Sequence, residues 1–240
     1  MNTALKILIV LTSHSVMGDT GEPTGVWFEE LAVPYYAFVD AGADVRIASI
    51  QGGRAPIDPR SLKNAGENPP SVQRFQADEE AMAKLSGTVP VAQVATEKFD
   101  AVFMPGGHGT MWDLPTSDHL AKLIRNTFEA GGVVSAVCHG PAAFVNVTLS
   151  NGRPFVEGKR LNAFTDAEED AAGLTDTVPF LLEAKLRELG AEFVSGGKFE
   201  PFAVQDGNLI TGQNPASSAR VAELVIKQAL QNRAARAAAE

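Results

Sequence analysis

Short apolar runs alternate with helical patterns along this chain, and that alternation constrains the fold more than any other feature. The runs at 6–12, 43–49, 101–104 and 133–137 are rich in Val, Ile and Ala. Each is strand-length and largely apolar, the pattern of strands buried on both faces in a mostly parallel sheet with helices above and below. Helical spacing is read at 26–41, ending at Gly42, and at 117–130, ending at Gly131-Gly132; glycine is a natural C-terminal cap at both places. Pro34 lies inside the first of these, so either a kink there or a helix that begins there is expected. Further helices are expected from Gly140-Pro141, over 178–189 and over 215–230. Short strands are expected at 160–163 and 192–195, and a hairpin over 203–211 turns at Asp206-Gly207. Residues 51–98, with Gly52-Gly53 and five prolines, look like an insertion laid over the core, with one short helix at 78–85. At 240 residues and 45% hydrophobic, the chain has enough apolar surface for one well-filled core. The expected organisation is a single α/β domain over 1–231 and an Ala/Arg-rich tail, 232–240, that frays.

Charge and length narrow the partners. The net charge is −9 and no run of Lys or Arg forms a basic face, so neither nucleic acid nor an anionic membrane is an expected partner. No stretch approaches the roughly 18–20 apolar residues of a membrane span. The apolar run near the start is too short for a secretory signal and lacks a cleavage site. One cysteine rules out an internal disulfide framework and fits a reducing compartment. The expectation is a soluble, cytoplasmic protein.

That one cysteine, Cys138, ends the strand 133–137 and leads directly into His139, Gly140 and Pro141. Ligands bind beyond the carboxyl ends of strands in open α/β sheets, and a helix starting there would aim its N–H groups at the sulfur and lower the thiol pKa. A small buried hydrophobe is the ordinary fate of a free cysteine; the turn favours a nucleophile. A second strand, 101–104, runs into Pro105-Gly106-Gly107-His108-Gly109. Adjacent glycines let backbone amides approach a ligand, so Gly106, Gly107 and His108 are expected to bind substrate, with the amides of Gly107 and His139 facing a developing oxyanion. Third, Glu29 and Glu30 lie among Val26, Trp27, Phe28, Leu31 and Val33. Helical spacing sends them different ways: one is solvated, and the other sits among apolar groups that raise its pKa toward neutrality, as proton transfer requires. His14, His108 and His119 are metal-ligand types, but no H-x-x-x-H or Cys/His spacing joins them, and no metal is expected.

On these residues the sequence resembles the ThiJ/PfpI superfamily, in the branch that holds the glutathione-independent glyoxalases and related heat-shock chaperones. The resemblance rests on T-G-x-x-x-x-E with Pro34 four residues after Glu30, on PGGHGT (105–110), AVCHGP (136–141), EGKRLNAFTDAEE (157–169) and TGQNPAS (211–217). It implies a flavodoxin-like three-layer α/β/α sandwich, a homodimer, a Cys138–His139 pair, and Glu30 rather than Glu29 as the buried carboxyl. It also implies a carboxylate partner for the histidine at Glu169 or its neighbour Glu168. The implied chemistry is attack of Cys138 on a 2-oxoaldehyde such as methylglyoxal, giving a hemithioacetal. Glu30 then moves a proton between the two carbons through an enediol-like state, and water releases lactate. No metal, glutathione or other cofactor is required.

The rival readings are distinguishable. A class I glutamine amidotransferase needs a histidine far downstream of its cysteine, and no histidine comes after His139. A cysteine peptidase needs an open cleft or chamber, which the 51–98 insertion would narrow. A holdase chaperone needs a large exposed apolar patch, and a redox sensor would use the thiol itself. Repair of glycated proteins is a further activity of the family and is hard to separate from removal of free methylglyoxal.

Overall fold

The computed structural model describes residues 4–64 and 66–239. Its strands are β1 (Lys6–Leu11), β2 (Asp44–Ser49), β3 (Val89–Pro90), β4 (Ala101–Met104), β5 (Val133–Val137), β6 (Arg160–Leu161), β7 (Glu192–Phe193), β8 (Ala203–Asp206) and β9 (Leu209–Gly212). Seven form one sheet in the order β3-β2-β1-β4-β5-β9-β8, parallel except for the hairpin between β8 and β9, while β6 and β7 pair separately. The helices are α1 (Phe28–Asp40), α2 (Pro70–Ala77), α3 (Glu79–Ser86), α4 (Val91–Val94), α5 (Thr110–Asp113), α6 (Asp118–Glu129), α7 (Asp166–Ala172), α8 (Leu182–Glu188) and α9 (Ser218–Ala239).

Side chains alternate across a strand, and β1 uses both faces. Ile7, Ile9 and Leu11 join Leu31 and Phe38 of α1 and Val221 and Val225 of α9 in one core. Leu8 and Val10 join Leu120, Leu123 and Ile124 of α6 in the other. A sheet buried on both faces between two helical layers is the flavodoxin-like α/β sandwich, so the fold expectation holds.

Several local expectations are corrected. Residues 51–98 are not wholly outside the sheet, because β3 pairs with β2 as its edge strand. That segment also holds a helix that was not expected, α2, because Pro70 stands at the first turn, where a missing N–H costs nothing. Helix α1 runs through Pro34 from Phe28, so it does not begin at the proline. The helix expected over 178–189 is shorter, beginning at Leu182. The C-terminal helix continues past 231, where Arg236 pairs with Asp100 at 2.7 Å. Such an exposed pair contributes about 0–1 kcal/mol, so it guides the last turns more than it holds them.

Candidate active site

The site forms where β4 and β5 end, beside the point at which the strand order leaves β1 in both directions. After β4 the chain enters Gly106 and Gly107. The Gly106 N–H donates to Oε2 of Glu30 at 2.7 Å, and its carbonyl accepts from the Trp27 N–H at 3.1 Å, which ties the start of α1 to the loop. A Cβ on Gly106 would lie 2.6 Å from the His139 nitrogen and 2.9 Å from that same Glu30 oxygen. Gly107 has φ +96, and a Cβ there would lie 2.2 Å from the Gly25 carbonyl. Both positions need glycine for close approach.

After β5 the chain makes a turn so tight that Cys138 adopts φ 60, a left-handed conformation that costs a non-glycine residue about 1–2 kcal/mol. Neighbouring chain holds it there. The Cys138 N–H donates to the Gly212 carbonyl at 2.8 Å, and the Cys138 carbonyl accepts from the Phe164 N–H at 2.9 Å. The sulfur lies 3.3 Å from Nδ1 of His139. His139 Nε2 donates to Oε2 of Glu169 at 2.7 Å, and His108 Nε2 donates to Oε1 of the same carboxylate at 2.9 Å. Arg60 fixes this tautomer of His108 by donating from Nη2 to its Nδ1 at 3.1 Å, while binding Asp58 through Nε and Nη2. With Nε2–H committed to Glu169, Nδ1 of His139 is left as an acceptor facing the thiol.

The electrostatics separate the groups. Glu30 is fully buried, and its carboxyl is pushed from an ordinary 4.5 up to about 8 by desolvation, against the Gly106 amide and a contact with Cys138. Its Oε1 has no nitrogen or oxygen partner among the described residues. Burial likewise pushes the Cys138 thiol up, as does charge on Glu30, while the amides of His139 and Gly107 act in the opposite sense. This overturns the expectation of a lowered thiol pKa. Beyond His139 the chain makes a single 3-10 turn, Gly140–Phe144, whose dipole is too short to outweigh a dry, acid-lined site. Burial opposes ionisation of Glu169 too, yet hydrogen bonds from two imidazoles hold it well below the usual carboxylate range. Burial and the neighbouring His139 bring His108 down to about 4, so it stays neutral.

Cys138, His139, Glu30 and Glu169 are thus brought together, and the amides of Gly107 and His139 converge on the sulfur. Two expected substrate contacts are otherwise engaged. The Gly106 amide is spent on Glu30, and both ring nitrogens of His108 are spent on Arg60 and Glu169, so His108 offers the cavity only its ring. Glu29 is half-buried, and burial pushes its carboxyl up while Lys63 pulls it down. The donor atoms of His108, His139 and Glu169 lie within 4.8 Å of one another, the donor set of a metal site. Here both Glu169 oxygens already accept hydrogen bonds, and a guanidinium sits on His108. His14 and His119 lie outside this cluster.

Glu168 does something different from Glu169. It is fully buried and caps α7 through Thr165. Its oxygens accept from the Thr165 N–H and hydroxyl, the Phe199 N–H, Gln213 Nε2 and Asn214 Nδ2. An amide there would face these donors with an NH2, so Glu168→Gln is expected to destabilise the protein by roughly 2–4 kcal/mol. Urea unfolding checks this; an unchanged midpoint would remove the hub role.

A cavity of about 300 Å³ opens above the sulfur, lined by Trp27, Arg60, Phe164, Phe199 and Pro215 besides Gly107, His108, Cys138 and His139. None of these five was singled out from sequence. Arg60 carried a local signal, since Asp58-Pro59 caps a turn, but nothing nearby points to His108.

The chain is similar to several known proteins. The chain is 32% identical to glyoxalase 3 of Candida albicans, over 92% of its own length and 97% of that protein. It is 34% identical to glutathione-independent glyoxalase hsp3101 of Schizosaccharomyces pombe, over 92% and 95%. The crystal structure of glyoxalase III from Candida albicans superposes with a TM-score of 0.85 at 31% identity, covering 93% of this chain and 97% of that one. Rapid Encystment Protein 24 kDa of Francisella tularensis gives 0.89 at 37% identity, covering 94% and 99%. The family model described as DJ-1/PfpI matches residues 24–228, and with the fold and the cysteine turn in place the chain belongs to the DJ-1/PfpI family.

Proposed function

We propose that the protein is a glutathione-independent glyoxalase that converts methylglyoxal or a related 2-oxoaldehyde to the 2-hydroxy acid, lactate in the case of methylglyoxal. The observation that carries this reading is the buried Glu30 carboxyl, with a pKa of about 8, set against the Cys138 sulfur. A peptidase or amidotransferase has no use for a proton carrier in that place, whereas isomerising an oxoaldehyde requires one.

Each step is assigned to one group of the site. Sulfur adds to the aldehyde carbon as His139 Nδ1 takes the thiol proton, and Glu169 stabilises the imidazolium that results. The aldehyde oxygen gains charge within reach of the Gly107 and His139 amides. Ionised Glu30 removes the hydrogen of the former aldehyde carbon and returns it to the neighbouring ketone carbon. The intermediate is an enediolate and the product a thioester on Cys138. Water then cleaves the thioester, giving back the thiol and one lactate for each methylglyoxal and water consumed. Glu30 is a competent base only when ionised, so kcat/KM rises as pH passes through about 8.

A cytoplasmic homodimer belongs to the same proposal: a single cysteine fits a reducing compartment, and the dimer is what the family resemblance implies.

The test is lactate formation from methylglyoxal by protein dialysed against EDTA, with no glutathione added and aggregation suppression measured in parallel. Wild type is expected to form lactate and Cys138→Ala none. No lactate from wild type, with aggregation suppressed by both proteins, would make this a chaperone and end the proposal.

A further inference from the structure

We infer that Phe199 is the specificity-determining wall of this site, selecting 2-oxoaldehydes by an apolar, flat substituent on the ketone carbon. The inference rests on the glyoxalase reading and names the part of the substrate that reading leaves open.

Two non-glycine residues among those described hold a positive φ, and they are Cys138 and Phe199, at 60 and 61. Both line the same cavity. For a phenylalanine this conformation is unfavourable and persists only where surrounding contacts over-determine it. Here they do. The Phe199 N–H is held by Oε1 of Glu168 at 2.8 Å. The flanking chain is strapped by Gln213 to the Gly196 N–H and the Gly197 carbonyl, and by Asn214 to the Glu200 carbonyl. A buried hub with five hydrogen bonds therefore fixes a strained loop whose tip is a half-exposed aromatic ring. Burying that ring is not what the arrangement achieves.

What it does achieve is a wall. The Phe199 ring lies 6.1 Å from the Phe164 ring, and Phe164 lies 4.5 Å from His139. The aromatic surface thus runs from the catalytic pair to the mouth, with Trp27 and Pro215 also on the lining. Most polar groups of the cavity are committed: Nε and Nη2 of Arg60 to Asp58 and His108, and His108 to Glu169. A cationic substituent would meet the Arg60 guanidinium and an anionic one only its Nη1 edge, whereas an apolar one would meet ring faces on the rest of the lining. The cavity has the volume of about ten waters, more than a three-carbon oxoaldehyde fills.

The experiment compares kcat/KM for methylglyoxal and phenylglyoxal in wild type, Phe199→Ala and Phe199→Gly. Both variants are expected to lower the phenylglyoxal-to-methylglyoxal ratio about tenfold, chiefly through KM, as lost ring contacts would. Phe199→Gly removes the ring and the backbone strain together, so a matching fall in both variants assigns the effect to the ring. An unchanged ratio, or a ratio that rises, overturns the proposal. A second readout is independent of turnover: the Cys138 alkylation rates with iodoacetamide and with its N-phenyl analogue. The wild-type preference for the phenyl reagent is expected to fall in both variants; if it does not, the wall is refuted. Absence of acid product from either oxoaldehyde in wild type would instead refute the glyoxalase reading, leaving alkylation to decide the role of Phe199.

Discussion

Glu30→Gln is expected to cut lactate formation by about three orders of magnitude or more while Cys138 remains open to alkylation. The exchange keeps shape and keeps the oxygen that accepts from the Gly106 N–H, so the sulfur and its turn stay where they are. Only the ability to carry a proton between carbons is lost. The same variant is expected to be more stable than wild type. Folded Glu30 keeps its proton to about pH 8, whereas an exposed carboxyl releases it near 4.5. Across that window the folded chain binds more protons than the unfolded one, so the contribution of Glu30 to stability falls as pH rises, by about 1.4 kcal/mol per pH unit. The glutamine variant escapes this loss, and its advantage in urea unfolding is expected to grow from pH 5 to pH 8. Glu29→Gln, at a half-buried position off the sulfur, is expected to cost little. Equal losses of activity in both variants would mean the wrong glutamate has been chosen.

The second large effect is expected at Glu169. An amide presents an NH2 to one of two imidazoles that both donate to it, so His108 or His139 must turn or change tautomer. A comparable amide-for-carboxylate exchange in a serine–histidine–aspartate triad costs about 10⁴ in kcat. Here Glu169→Gln is expected to lose about 10²–10⁴, because His139 can no longer keep Nδ1 free for the thiol proton. The pH signature is opposite to that of Glu30. Glu169 is held below its ordinary 4.5 in the fold, so it stabilises the folded chain above that value and the benefit disappears as pH falls. Wild type should therefore exceed Glu169→Gln most at neutral pH and converge with it in acid. A gap that widens in acid would contradict the assignment.

These two carboxyls mark how far the sequence alone could be read. Strands β4 and β5 were legible to the residue, because apolar runs bounded by Asp100 and Pro105, or by Gly132 and Cys138, leave few alternatives. The turn at Cys138 was legible for the same reason. The choice between Glu168 and Glu169 was not. Adjacent residues on α7 point different ways, and only the fold decides which of them meets His139 and which meets Phe199 and Asn214. The thiol differs from the expectation because a helix N-terminus is weighed there without the burial of the sulfur, the larger cause, or the charge of Glu30, which is remote in sequence. Arg60 acts on His108 across 48 positions, a contact with no local trace.

The central claim is that the sulfur of Cys138 carries the substrate while Glu30 moves its proton. Acid quenching during turnover of methylglyoxal, with peptide mass mapping of the quenched protein, tests it most directly. Wild type should yield the Cys138 peptide heavier by one methylglyoxal, as a hydroxylamine-labile thioester, and Glu30→Gln should yield no such thioester. Steady lactate release from a sulfur that never carries the added mass would contradict the account.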